Sequence, residues 1–374
     1  MRAAHIIGGL SVGGAERMLQ RLVTEHSQRS DVSILVISLT KVGPIGYAIR
    51  EAGVRVEALN MTGPASGTLG FVKLLWLLFR FRPDVVQTWL YWADLIGGIA
   101  ARICAIKAVV WNIRCAQFGD SRWTGYVVKL NSKLSHWLPH SVICCGHAAK
   151  LFHEEQGFDE KKIAILPNGF DLIYFSPPQR HTRLDNPANT VEIAAIGRND
   201  PLKDYSNLLT AAKLVHDQCT FVHFAIYGRG CATDANLQRQ IEDYQLTNIV
   251  DCHEELTDVR QALRKTDIFV SSSLSEGFPN VLAEAMAMEI PCVATNAGDA
   301  SVIVGKAGEI VPVRDSRALA DAIVKLTKLT SKKRQELGTA ARKHIVENFE
   351  IGYVAQLYLD HYKKVIQLDK NEKY

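Results

Sequence analysis

No run of eighteen uncharged apolar residues occurs in this 374-residue sequence, so no helix able to cross a bilayer is expected. The opening stretch Met1–Gly9 breaks into glycines before a signal-peptide apolar region is complete, and no export leader is expected there. The eight cysteines show neither C-x-x-C spacing nor paired Cys/His blocks. Cys144, Cys145 and Cys292 sit inside apolar runs, where a thiol packs as a small hydrophobe, and this usage fits a reducing cytosol. His136, His140, His147 and His153 fall near Cys144 and Cys145 at spacings that match no zinc template, so they read as structural or surface residues. Ser271-Ser272-Ser273 lacks the G-x-S-x-G turn of a hydrolase. The N-terminal glycines do not form G-x-G-x-x-G, which argues against a nicotinamide cofactor. A net charge of +4 with scattered Lys and Arg does not indicate nucleic acid, although a small anionic ligand remains compatible.

The length supports two domains, each with its own core. Short Val- and Ile-rich runs alternate with helical patterns from start to end, the signature of parallel sheets built from βαβ units, and the fold class is α/β. Strands are expected at Ala4–Gly8, Val32–Leu39, Val54–Leu59, Val85–Thr88, Ala108–Ile113, Ser141–Cys145 and Ile163–Leu166. A second alternation is expected at Val191–Ile196, Phe221–Tyr227, Asn248–Cys252, Asp267–Val270, Cys292–Thr295 and Glu309–Val313. Between them, residues 171–189 are polar, Pro-rich and without period, and read as a linker. The expected organisation is a first domain over 1–170, a second over 190–350, and a last helix over 351–374 that crosses back to the first. Doubly wound sheets bind ligands at the carboxyl ends of their strands, so the cleft between the two domains is the expected site.

The strand at Asp267–Val270 runs into a serine-rich loop and then Glu276-Gly277-Phe278-Pro279-Asn280, where a helix opens and carries Glu284 more than one turn inside it. Pro279 suits a first helical position, because its missing N–H would be unpaired there. A fresh helix N-terminus at a strand end favours a phosphate. Two carboxylates bracketing an anion site make sense if they accept hydrogen bonds from hydroxyls, and a sugar nucleotide supplies both groups. Taken alone, the segment also reads as an ordinary helix start with Glu276 as a first-turn acid and Glu284 in solvent. Arg198 and Lys203 follow the strand Val191–Ile196 and could neutralise a departing diphosphate. Gly13 and Gly14 join the first strand to the first helix, where glycine lets backbone approach a ligand.

Four motifs in order, Gly8-Gly9-Leu10-x-x-Gly13-Gly14-Ala15-Glu16-Arg17, Leu166-Pro167-Asn168-Gly169, Gly197-Arg198…Lys203-Asp204 and Glu276…Glu284, resemble the retaining glycosyltransferases of family 4 over nearly the whole chain. The resemblance implies the GT-B architecture, two Rossmann-like domains facing across a cleft. It implies metal-independent transfer of a sugar from a nucleoside diphosphate donor, a UDP-sugar, to a glycan or lipid-linked glycan in bacterial surface polysaccharide synthesis. Arg198 and Lys203 would bind the diphosphate, Glu276 the sugar hydroxyls with the Gly277, Phe278, Pro279 and Asn280 backbone, and Glu284 the ribose. Gly13 and Gly14 would cap the phosphates from the other domain. Family members often carry a histidine near the end of the fifth strand, where this chain has Arg114. Either Arg114 takes a related role or the acceptor side is specialised. No D-x-D occurs, so no metal and no other cofactor is expected.

Two rivals remain at this level, a sugar-nucleotide epimerase of similar architecture and a non-catalytic partner subunit. The apolar, basic helix Phe71–Arg82 could contact the inner face of the cytoplasmic membrane, or be a crossover helix buried on a sheet. All six tryptophans fall in the first domain, where core packing is the default expectation for most.

Overall fold

The structure, a computed structural model, describes residues 1–117, 122–177 and 190–371. The described residues divide into two compact units, Met1–Gly169 with the segment from Ile351 onward, and Phe170–Glu350. In unit 1 the chain runs β1 (Arg2–Ile7), α1 (Gly14–Ser27), β2 (Ser33–Ser38), α2 (Gly43–Glu51), β3 (Arg55–Ala58), α3 (Pro64–Phe81) and β4 (Val85–Trp89). It continues through α4 (Tyr91–Ile103), β5 (Val109–Ile113), α5 (Arg122–Ser135), β6 (Ser141–Cys144), α6 (His147–Glu155) and β7 (Ile163–Ile165). Unit 2 contains β8 (Val191–Ile196), α7 (Tyr205–His216), β9 (Val222–Tyr227), α8 (Ala235–Asp243), β10 (Val250–His253), α9 (Arg260–Leu263) and β11 (Ile268–Ser271). After these come α10 (Asn280–Ala287), β12 (Cys292–Thr295), α11 (Ala300–Val304), β13 (Glu309–Val311), α12 (Ser316–Thr327) and α13 (Ser331–Phe349). The last helix, α14 (Ile351–Asn371), belongs to unit 1.

Every strand expected from the Val/Ile runs is present, with ends shifted by up to two residues. Both sheets are wholly parallel, in the orders β3-β2-β1-β4-β5-β6-β7 and β10-β9-β8-β11-β12-β13. Each order reverses direction once, between β1 and β4 in unit 1 and between β8 and β11 in unit 2. At such a reversal the loops diverge to opposite faces and leave a crevice beyond the strand ends.

The passage out of unit 1 falls after Gly169, and part of the expected linker, residues 171–177, packs within unit 2. Phe170 and Phe175 are buried there, and Arg342 Nη2 donates to the Leu172 carbonyl at 3.1 Å, so two aromatics override a Pro-rich, polar appearance. Residues 178–189 lie outside the described residues. On the return side, α14 contributes Ile351, Val354, Tyr358 and Tyr362 to the core that also holds Leu19, Val36 and Trp89. The His26 ring is in hydrogen-bond contact with the Ala355 carbonyl at 2.9 Å, joining α14 to α1.

The tryptophans do not follow the core-packing expectation. Trp89 and Trp111 are buried, but Trp76, Trp92, Trp123 and Trp137 are 45–73% exposed. The helix expected at Phe71–Arg82 begins earlier, at Pro64, because the Ser66 hydroxyl accepts from the Gly63 N–H at 2.9 Å and closes the first turn before the apolar run starts. It is a crossover helix whose inner face, with Leu74, Leu77 and Leu78, is buried.

Candidate functional site

In unit 2, β8 and β11 are neighbours, and their carboxyl ends deliver Gly197–Lys203 and Ser272–Asn280 to one place. Two hydrogen bonds lace these loops together. Leu274 N–H donates to the Leu202 carbonyl at 2.7 Å, and the Ser272 hydroxyl donates to the Lys203 carbonyl at 2.7 Å. The consequence is a contact between residues 73 positions apart: Lys203 Nζ lies 2.5 Å from Glu276 Oε1. The Ser273 hydroxyl donates to the same carboxylate oxygen at 2.7 Å, and Thr295 Oγ1 donates to the Ser273 carbonyl at 2.6 Å. Glu276 therefore has its direction set by an ammonium and a hydroxyl on one oxygen, in a part-buried setting where such bonds are stronger than in water.

Two glycines let the backbone close around this pair. A Cβ on Gly298, whose φ is +59°, would lie 2.0 Å from the Glu276 carbonyl oxygen. On Gly228, which follows β9, a Cβ would lie 1.7 Å from the Gly197 carbonyl oxygen. No side chain fits at either position without moving the loop. Phe278, expected to contribute only backbone, is a buried anchor. Its ring stacks on Phe170 at 6.2 Å between centroids and meets Phe349 edge-on at 5.8 Å. Tyr205 donates its hydroxyl to the Gly197 carbonyl at 2.7 Å and steadies the other loop; burial pushes that phenol well above its usual pKa.

Pro279 is the N-cap of α10 rather than its first helical residue, with Asn280 opening the helix after Gly277 and Phe278. The difference is one position, within the ordinary ambiguity of helix ends. Glu284 is only 5% exposed, so the ordinary reading that left it in solvent does not hold. Arg198 stands apart from this network. Its side chain is 62% exposed and its ion-pair partner is Asp200, at 3.6 Å.

The remaining expected residues lie in unit 1. Gly13 caps α1 in an extended conformation, and the Glu16 carboxylate folds over it, near enough that a Cβ on Gly13 would meet Glu16 Oε2 at 2.3 Å. Burial raises the Glu16 pKa. The N-terminal end at Gly13–Gly14 is thus covered by the helix's own acid. Arg114 turns inward: its Nη1 donates to Tyr358 Oη at 2.8 Å and to Asn112 Oδ1 at 3.2 Å, and its guanidinium lies 5.7 Å from the Trp89 ring centroid.

Sequence reasoning missed a second feature, at the switch point of unit 1. A cavity of about 310 Å³ opens beyond the ends of β1, β4 and β5, walled by Gly8, Trp89, Tyr91, Trp92 and Cys115. Leu90, between β4 and α4, has φ +70° and ψ 159°, a region that costs a non-glycine residue on the order of 1–3 kcal/mol. That turn is locked by Leu90 N–H to the Asn112 carbonyl at 3.0 Å and Asp94 N–H to the Leu90 carbonyl at 2.9 Å. Behind it, His153 Nδ1 is 2.6 Å from the Ala149 carbonyl and must donate, which leaves Nε2 to accept from Tyr91 Oη at 2.7 Å. Burial holds His153 neutral, its pKa down at about 4, and raises the Cys115 thiol. Nothing in the sequence marks Leu90 as strained; the only signal was the cluster of aromatics Trp89-Leu90-Tyr91-Trp92 at a strand end.

Comparison with known proteins adds names to this geometry. The model "Glycosyltransferase Family 4" matches residues 12–174, and the model for glycosyl transferases group 1 matches residues 190–328. An Escherichia coli protein, UDP-Gal:alpha-D-GlcNAc-diphosphoundecaprenol alpha-1,3-galactosyltransferase, is 25% identical over 319 residues, 77% of this chain and 78% of its own length. The Staphylococcus aureus capsular polysaccharide biosynthesis glycosyltransferase CapM is 26% identical over 74% of this chain and 76% of its own. Among solved structures, Anabaena Alr3699/HepE in complex with UDP superposes with a TM-score of 0.83 at 20% identity, covering 97% of this chain and all of that one.

Proposed function

Because the chain belongs to the glycosyltransferases of group 1 and family 4, with the GT-B fold, we propose that it moves a sugar, with retention of configuration, from a UDP-sugar to a lipid-linked glycan in bacterial surface polysaccharide synthesis. CapM is named for capsular polysaccharide biosynthesis, and the names of both sequence relatives describe transfer rather than epimerisation, so the epimerase reading is not carried further. The Escherichia coli relative takes a diphosphoundecaprenol-linked sugar, which supports an acceptor of that class met at the inner face of the cytoplasmic membrane.

The observation that carries the reading is the Lys203–Glu276 pair, held by Ser273 at the unit 2 switch point. The pair presents one cation and one fixed carboxylate to a ligand lying over the strand ends. The ammonium meets the diphosphate as negative charge accumulates on it, and the carboxylate accepts hydrogen bonds from the hydroxyls of the transferred sugar. Arg198, exposed and loosely paired, swings to the diphosphate when donor binds. At the start of α10 the Gly277 and Phe278 backbone adds N–H donors, with Pro279 contributing none, Asn280 opens the helix, and the buried Glu284 holds the ribose. With these groups meeting the charge, transfer proceeds without a metal ion. The acceptor's hydroxyl oxygen bonds to the anomeric carbon on the face from which the diphosphate departs, and the diphosphate takes the hydroxyl's proton, so the configuration is retained. In the first unit, Gly13 and Gly14 meet phosphate only once the Glu16 carboxylate moves off the α1 terminus. Arg114 acts as a positioning residue: it holds the β5 end and Trp89 against α14.

The test is product formation from UDP-sugars and a diphosphate-lipid-linked acceptor, with and without EDTA, followed by anomeric NMR. Glu276→Gln and Lys203→Ala are each expected to lower kcat by about 10²–10³-fold while EDTA changes nothing. Wild-type rates in both variants, or an inverted product, would overturn the assignment. Conversion of donor with no acceptor present would restore the epimerase.

A further inference from the structure

Connections β3 to β4, β4 to β5 and β5 to β6 all cross the sheet of unit 1 in the same direction, so right-handed crossovers put α3, α4 and α5 in one layer. They are successive neighbours: α3 packs on α4 and α4 on α5. The outer surface of this layer is apolar where a solvated helix face would be polar. On α3 the exposed residues Leu69, Val72, Trp76 and Phe79 are 57–74% accessible and, at 100° per residue, fall within about 90° of arc opposite the buried leucines. Such a helix, apolar on both faces, is ordinarily covered on both. On α4 the exposed residues include Ile99 and Ile103, and α5 adds Trp123 at 73% and Tyr126 at 67%, with Trp137 just beyond its end at 67%.

Charge on the layer has one sign. The sequences of α3 and α5 contain no Asp or Glu, and the single acid of α4, Asp94, is fully buried against Thr88. Exposed Arg80, Lys129 and Lys133 lie among the aromatics, while Lys73 is turned to the β3 edge, donating to the Ala58 carbonyl at 2.9 Å beside Glu57. Two copies of this face would set cation against cation, so self-association does not suit it. A surface of anionic headgroups over hydrocarbon does: aromatic rings seat at the headgroup level, and basic side chains reach the phosphates with their stems on apolar surface. The cavity at the unit 1 switch point is walled by Trp92 at the start of α4 and by Thr124 in the first turn of α5, so this layer and the cavity share an edge.

Resting on the lipid-linked acceptor assigned above, we propose that α3, α4 and α5 together form a docking face for an anionic phospholipid bilayer, one that brings the cavity mouth to the headgroups. Contact by three helices, rather than by the Phe71–Arg82 segment alone, makes binding depend on α5 as well as α3.

The full chain is mixed with vesicles of phosphatidylcholine alone, or with about one third phosphatidylglycerol, and bound protein is measured by sedimentation. Binding is expected to the anionic vesicles, to weaken as salt is raised, and to be accompanied by tryptophan quenching from brominated lipid chains. Lys129→Gln with Lys133→Gln, on α5, should lower the partition coefficient by roughly 25-fold, taking about 5-fold per basic residue lost. Trp76→Ser with Phe79→Ser should lower both the binding and the quenching, the residual quenching coming from Trp123 and Trp137 on the α5 side. Both variants should keep wild-type UDP-induced thermal shifts, which shows them folded. No binding by the wild type, equal binding to both vesicle types, or an unchanged α5 variant would overturn the three-helix face. So would a dimer, seen by sedimentation equilibrium, that the Trp76→Ser, Phe79→Ser variant dissolves. Absence of wild-type vesicle binding with donor turnover intact sinks the docking face alone, whereas absent donor turnover with wild-type vesicle binding intact sinks the transferase assignment alone.

Discussion

Both units place a crevice at the reversal of a parallel sheet, yet the two crevices have opposite chemistry. In unit 2 the strand ends meet in a polar lattice, with Lys203, Glu276, Ser272 and Ser273 joined at 2.5–2.7 Å and glycine at 228 and 298, where a side chain would strike neighbouring backbone. In unit 1 they meet in an aromatic cavity whose turn is carried by a leucine in a glycine conformation. Topology decides where a ligand can go, and side chains decide which: the polar crevice suits the charged, hydroxylated donor proposed above, and the aromatic one suits the proposed amphipathic acceptor. The histidines follow the same division. His5 and His26 in unit 1 are buried and depressed to about 3 and about 4, whereas His223 in unit 2 is raised by its hydrogen bond to Glu192.

The largest break in this comparison is expected from acid. A histidine depressed on folding stabilises the protein fully above pH about 6.5, and that contribution is lost as pH falls toward its folded value. His5, His26, His153 and His361, all in unit 1 and all at about 3 to about 4, should each remove stability with a limiting slope of about 1.4 kcal/mol per pH unit below pH 6.5. His223 works in the opposite sense, adding stability below pH 6.5 and losing it as pH rises through its raised value. Hydrogen exchange between pH 7 and pH 4.5 should show unit 1 opening first; simultaneous opening would contradict the division.

Next in size is Gly298→Val. Its side chain would collide with the Glu276 carbonyl, so donor turnover should fall more than 100-fold while hydrogen-exchange protection in unit 1 stays unchanged. Tyr358→Phe removes the oxygen that accepts from Arg114 and should cost about 1.5–3 kcal/mol, read in urea as loss of unit 1 with unit 2 intact. The smallest effect is expected from Arg198→Ala, which should leave the melting temperature within error and raise donor KM about 10-fold.

The strands of the described residues were legible because parallel strands covered on both faces are rich in Val and Ile, a signal that survives single buried polar residues such as His5, Gln87 and Asn112. The pairing of Lys203 with Glu276 was not, since the two stand on different loops and were given separate ligands; only the neighbouring of β8 with β11 brings them together. Glu284 is in the same position: a lone acid inside a helix says nothing of the α13 helix that packs beside it. Trp89 and Trp111 are buried because they lie on strands, while Trp76 and Trp123 are exposed because they fall on the outer arc of helices. Composition cannot separate these cases, but the Leu69, Val72, Trp76, Phe79 spacing could have. Leu90 stayed hidden because its conformation is imposed by Asn112 and Asp94 around it.

The return of α14 has a consequence for how the chain is made. Unit 2 is contiguous from Phe170 to Glu350, so it can assemble as soon as it has left the ribosome. Unit 1 cannot: Ile351, Val354, Tyr358 and Tyr362 are integral to its core and are synthesised only after unit 2. The apolar surface they cover on α1 and the first sheet must wait through the synthesis of an entire second unit, so the half of the protein begun first is the half finished last.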